Sequence, residues 1–336
     1  MRRPNALFVV FALSAVVACG GDKGGSPEVG PDVVATGDTI SSVDGTSPDS
    51  TQVDVTTDPE PDASSSPDDV EGWSPPGAGF EVGEVPASEP SFAPYFDKHV
   101  GVFGLNIFGT ASVPDEDMLH AAAVLAQYLD NDEDGEADDP TILSALQEAE
   151  GGPASMVMFA TEWEIESSGI FESNLGERAL QDLYATETHP QGSSLNKGFD
   201  ATLEEVLHLV THHGWAEAYP ADFAEKSGST LADAMDIARG GKFTSIPSSY
   251  PEEAWYHYDD ASCSYGCMAT EYLYWALTSL LGAQSYSGRC EEIEHEWELC
   301  TPEAVVTQDA AITALLQDSG YALPTVLPDG TYEPSL

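Results

Sequence analysis

The segment TLEEVLHLVTHHGWAEAYP, which begins at Thr202, packs two glutamates and three histidines into its first twelve residues, in an otherwise apolar, helix-forming pattern. Carboxylates and imidazoles bind divalent cations, and side chains four apart on a helix can share one ion. At about 100° per residue, with Glu204 at zero, Glu205 lies near 100°, His208 near 40° and His212 near 80°. These four make one stripe, and His213 points away from it. Two ligand registers are open: Glu204 with His208, or His208 with His212. In a straight helix the outer two positions are about 12 Å apart, too far for one ion. His208 belongs to both registers. The same residues also permit a purely local reading. Thr202 as N-cap with Glu205 three places on forms a capping box, and Glu204 favours the helix dipole. Gly214 is placed to end the helix.

The run Glu204-Glu205-Val206-Leu207-His208 resembles the HExxH motif of zincin metallopeptidases, with glutamate in place of the first histidine. The resemblance implies Glu204 and His208 (or His212) as zinc ligands and Glu205 as the general base that activates a metal-bound water. It also implies a third ligand from a downstream helix. Glu271, alone in the apolar stretch MATEYLYWALTS, is the candidate, because a carboxylate in such surroundings needs a partner. His257, Asp259 and Asp260 lie just before it, and His189 is a further candidate. Tyr256, Tyr258 and Tyr272 could orient substrate or donate hydrogen bonds to a tetrahedral intermediate. The implied reaction is metal-assisted hydrolysis of a peptide or protein substrate. Glu205 and His208 also fit the Glu-x-x-His element of carboxylate–histidine iron sites, but no second such element occurs.

YLDNDEDGEADDPTIL offers a second cation site. Asp130, Asp132 and Asp134 alternate, Gly135 follows where a sharp turn is needed, Glu136 would offer its carbonyl, and Asp138 stands at the ninth position. The pattern resembles an EF-hand calcium loop and implies bound Ca2+. It departs from that pattern at position 12, where Thr141 replaces the bidentate glutamate. Asp138 or Asp139 would then complete the shell. A single loop implies a structural site and not a switching sensor.

The elements that must position these residues are mostly helices. Residues 114–129 place Met118, Ala122, Leu125 and Tyr128 on one face. Pro140 opens a helix behind an aspartate cap. STLADAMDIARGG, CMATEYLYWALTSLLGAQ and TPEAVVTQDAAITALLQDSG supply more helices, and HVGVFGLNIFGTA and ASMVMFAT read as strands. The expected class is α+β, mainly α with a small sheet: a zincin-like helical domain with one EF-hand-like helix–loop–helix, spanning residues 91–336.

The start of the chain reads as an address. Arg2 and Arg3 precede a short apolar run that ends Val16-Val17-Ala18-Cys19. This resembles the lipobox of bacterial lipoproteins, which implies cleavage after residue 18, lipidation of Cys19 and attachment to the membrane. Gly20 in the next position implies the outer membrane or cell surface. Residues 19–90 are rich in Asp, Ser, Thr, Pro and Gly and read as a disordered acidic tether. With 59 Asp+Glu against 10 Lys+Arg and a net charge of −49, the chain repels nucleic acid and attracts cations. A monomer is expected. In an exported chain Cys263, Cys267, Cys290 and Cys300 read as two disulfides, with the local pairs Cys263–Cys267 and Cys290–Cys300 favoured. The rival to a hydrolase is a non-catalytic, calcium-rigidified surface module that binds a partner through its aromatics.

Overall fold

The two central strands of a four-stranded sheet read LNIFG and SMVMF and are buried along their whole length, so both faces of the sheet are covered there. The structure, a computed structural model, describes residues 79–194 and 197–334. Cys19, the lipobox and most of the expected tether lie outside the described residues. Strand β1 (Lys98–Val102) and strand β2 (Leu105–Gly109) form an antiparallel hairpin. Its two turn residues, Phe103 and Gly104, both take positive φ, 48° and 81°, as the tightest hairpin turns require. β3 (Ser155–Phe159) runs parallel to β2, and β4 (Leu180–Tyr184) parallel to β3, in the spatial order β1-β2-β3-β4. β4 was not anticipated: LQDLY interleaves polar and apolar residues in a short run with little strand signal.

Nine helices accompany this mixed sheet among the described residues, which meets the α+β expectation. Helices α1 (Asp115–Leu129), α2 (Pro140–Gln147) and α3 (Glu162–Ser168) alternate with the strands. Helix α4 starts at Thr202–Val210 and runs on to residue 218. Then come α5 (Thr230–Ala238), α6 (Tyr265–Leu280), α7 (Arg289–Ile293), α8 (Pro302–Gln308) and α9 (Ala310–Leu316). One sheet face sends Ile107, Met156, Met158 and Leu183 into the helical core. The other sends Phe108, Val157, Phe159, Leu180 and Tyr184 into an aromatic cluster with Phe92 and Phe96. Helix α4 packs against α1, β4 and α6, at the centre of the helical layer.

The folded region begins earlier than composition suggests. Gly83 exchanges backbone hydrogen bonds with His99 at 2.8 and 2.9 Å, and Glu89 pairs with Arg178 at 2.7 Å. Residues 79–90, counted from composition as tether, therefore pack on the sheet. The structure links Cys263 to Cys267 and Cys290 to Cys300, with Cα–Cα separations of 5.4 Å each, which is the favoured local pairing.

Two expectations about α4 are corrected. Thr202 is not its cap. It is the first helical residue, and its N–H is taken by Asp200 Oδ1 at 3.2 Å. Asp200 is itself fixed by the His189 N–H at 2.9 Å and by His120 of α1 at 2.7 Å. The Glu205 side chain, expected to close a capping box, turns instead to β4. Nor does Gly214 end the helix. Thr211–Trp215 form a π-helical turn and the helix continues to residue 218, with Gly214 where this turn packs against α2. A Cβ at residue 214 would meet Ile142 Cγ2 at 2.9 Å and Leu146 at 3.4 Å.

Candidate metal centre

Helical spacing puts Glu204 and His208 one turn apart on α4, and α6 lies across from them. Glu271 projects from α6, so one ligand atom from each of Glu204, His208 and Glu271 lies within 4.8 Å of the others. His208 Nε2 is 3.6 Å from Glu271 Oε2. His208 and Glu271 are each 5% exposed, and Glu204 is half-buried. The His208 Nε2 atom is buried and has no hydrogen-bond partner. A nitrogen so placed, facing two carboxylates, is an acceptor for a cation or a donor for a carboxylate.

The other ring nitrogen is engaged. His208 Nδ1 lies 3.4 Å from Glu205 Oε2, and Glu205 Oε2 accepts the amide of Gln181, on β4, at 2.6 Å. The ring edge packs against Tyr274 of α6, with centroids 5.7 Å apart. Burial raises the carboxyls of Glu204 and Glu271, each to about 8; the negative charge of Glu205 adds to the rise at Glu204, and His208 opposes it at both. Burial likewise holds Glu205 well above the usual carboxylate range, with Asp182 adding to the effect. Protonated carboxyls near neutral pH are the signature of acids gathered without a counter-charge.

Protein-family models, curated proteins and solved structures offer no match to this chain. What the centre can do therefore rests on its own geometry. One imidazole and two carboxylates form a donor set suited to a divalent metal ion, with two negative charges to neutralise it. The buried Nε2, without a hydrogen-bond partner and 3.6 Å from Glu271 Oε2, fits that assignment.

The remaining sequence candidates are placed elsewhere. His212 leaves the cluster: its Nδ1 pairs with Glu225 Oε2 at 2.5 Å, because the π turn rotates it off the stripe that carries Glu204 and His208. The register His208 with His212 is therefore not formed. His213 is held neutral by burial, its pKa lowered to about 3. Tyr256 donates to the Met268 carbonyl at 2.8 Å and Tyr272 to Asp309 at 2.6 Å, so both serve the scaffold. His257 Nε2 lies 2.9 Å from the Ala254 carbonyl oxygen, Asp260 accepts the Ser262 N–H, and His189 acts through its backbone on Asp200. Tyr274, which packs on His208, and Gln181, which donates to Glu205, adjoin the centre and were not singled out from the sequence. Only Tyr274 left a signal there, standing one turn beyond Glu271 on α6.

In the acidic loop between α1 and α2, Asp130, Asp132 and Asp138 each bring a carboxylate oxygen within 4.8 Å of the others. Asp134 and Glu136 are not in that group. The Asp134 carboxylate accepts the Glu136 N–H at 2.8 Å, closing the turn on itself. Gly135 takes φ +91° and donates to Asp130 Oδ2 at 2.8 Å. Asp139, an expected shell-completing ligand, caps α2 through Thr141 and Ile142 and accepts the Tyr219 hydroxyl at 2.5 Å. The loop is clasped by the end of the chain. Tyr332 donates to Asp130 at 2.5 Å, Asn131 Oδ1 accepts from Thr325 and Val326, and Gln127 Oε1 accepts from Asp329 and Gly330.

Proposed function

We propose that the folded unit is a metal-dependent hydrolase acting on peptide bonds, held at the bacterial cell envelope by a lipid on Cys19 and stiffened by Ca2+ in the loop at residues 130–138. The observation that carries the metal reading is the approach of Glu204, His208 and Glu271 around an unpartnered buried nitrogen. A zinc ion in that position supplies a Lewis acid and a bound water of lowered pKa. The chain's own residues do the rest. His208 Nε2, with the Glu204 and Glu271 carboxylates, forms the binding face. Glu205 holds the imidazole through Nδ1, and Gln181 holds Glu205. In the hydrolase, Glu205 also takes the proton of the attacking water.

Glu205 is also the residue that favours a second reading. Its Oε2 faces Gln181 and Nδ1, an orienting placement that suits a site for binding metal without chemistry. One measurement tests both readings and a second separates them. Gently purified protein should retain about one zinc per chain, and His208→Ala should lose it. Glu205→Gln should keep the zinc and lose peptide hydrolysis. Protein that neither retains nor takes up a transition metal would remove both metal readings, and hydrolysis that survives in Glu205→Gln would remove Glu205 as the base.

A further inference from the structure

Arg239 closes helix α5 and is wholly buried, yet only one corner of its guanidinium is engaged. Nη1 donates to the Phe243 carbonyl at 2.9 Å and lies 3.9 Å from Met235 Sδ. Nε and Nη2 are buried and have no hydrogen-bond partner. Those two atoms form the side-on edge of a guanidinium, whose parallel N–H groups match the two oxygens of a carboxylate. A buried cation also needs a counter-charge. Asp236, one turn back on α5, is directed elsewhere: its Oδ2 accepts from the Tyr265 hydroxyl at 3.0 Å, and its Oδ1 is buried without a partner. Arg178 makes the contrast. Its Nε and Nη2 are also unpartnered, but its charge is met by the Glu89 carboxylate at 2.7 Å.

The chain over Arg239 is built differently from the rest of the unit. Gly240 turns with φ +69°, and a Cβ there would meet Pro251 Cγ at 2.9 Å, so the two ends of the segment 240–251 touch. That is the form of an Ω-loop. Residues 242–250 make no backbone–backbone hydrogen bond among the described residues. Side chains tie the loop down: the Tyr250 hydroxyl donates to the Tyr258 carbonyl at 2.5 Å, and Lys242 Nζ to Ser227 Oγ. The rings of Phe243 and Tyr250, with centroids 5.7 Å apart, sit 5.4 and 5.7 Å from the guanidinium carbon. Arg239 is thus the floor of a loop that carries little structure of its own.

We propose that Arg239 and the loop at residues 240–251 form a binding site for a small monocarboxylate, taken side-on by Nε and Nη2. A single guanidinium neutralises a single negative charge. A phosphate brings more than one, and the surplus is unfavourable against aromatic rings in a chain of net charge −49. The site does not depend on the metal centre. The test is the proton–nitrogen NMR spectrum of the arginine Nε–H groups of the full-length protein in chelator, titrated with acetate. Chloride at equal ionic strength is the control, because screening alone acts on so charged a chain. Acetate should shift the Arg239 signal to saturation and leave that of Arg178 in place. The Arg239 signal is the one that contacts the ring protons of Phe243 and Tyr250 and is lost in Arg239→Lys, which keeps the charge and removes the fork. The parent should also gain melting temperature in acetate over chloride, and Arg239→Lys should not. His208→Ala should respond as the parent does, whatever becomes of the metal reading. If Arg239→Lys does not fold, the ring contacts assign the signal and the parent titration decides. An Arg239 signal that acetate does not move, or that chloride moves as far, overturns the site. A larger response to phosphate than to acetate overturns the carboxylate assignment.

Discussion

Glu204 and Glu271 are the residues through which this site senses pH. Both carboxyls are raised from 4.5 to about 8 by burial, so the folded chain without metal holds protons that the unfolded chain releases. Stability from this source is complete below the unfolded value of 4.5 and is lost as pH rises through about 8. A divalent cation removes the need for those protons, so its affinity rises over the same interval. In chelator, the melting temperature should therefore fall between about pH 5 and pH 9, and saturating zinc should reduce that fall, leaving the part that comes from raised carboxyls outside the ligand set such as Glu187 and Asp117. Parallel pH profiles with and without zinc would show that these two carboxyls do not face the metal.

Helix α4 shows how an element can be half legible. The i, i+4 relation of Glu204 and His208 follows from helix geometry alone and was readable as soon as the helix was. The fate of His212 was not, because it depends on a π turn at Thr211–Trp215, which packs against α2, and on a distant partner, Glu225. Gly214 sits in that turn with the Ile142 and Leu146 methyl groups against it. Gly214→Ala gains up to about 1 kcal/mol of helix propensity and incurs about 1–3 kcal/mol of overpacking against a buried helix. The overpacking wins, and the denaturation midpoint should drop by the equivalent of about 1 kcal/mol. An increase in midpoint would mean that α2 gives way easily and that the glycine has no packing role.

For the molecule as a whole, the dominant fact is a net charge of −49, and the acidic loop beside α1 concentrates part of it. Desolvation raises the Asp138 carboxyl, and Asp130, Asp132 and Asp134 add to the rise, so a bound cation relieves repulsion as well as gaining ligands. Tyr332, Asp329 and Val326 tie this loop to the end of the chain, so ordering it stabilises a large part of the unit. Millimolar Ca2+ should raise the melting temperature, and Asp132→Asn, an exposed change, should remove the increase while leaving the melting temperature in chelator nearly as it was. A Ca2+ response that persists in Asp132→Asn would place the ion elsewhere.

The sequence by itself determined what depends on near neighbours. The helices, the acidic turn at Gly135, the local cysteine pairs and the shared face of Glu204 and His208 all follow from spacing along the chain, because backbone geometry fixes positions a few residues apart. Tertiary structure alone decided which distant groups meet. Glu271 reaches His208, His212 turns to Glu225, Asp200 replaces Thr202 in holding the start of α4, and Tyr332 closes on Asp130. Such meetings depend on how helices cross and how sheet faces fill. Those are set by the volume and burial of many side chains at once, which no single stretch of sequence contains.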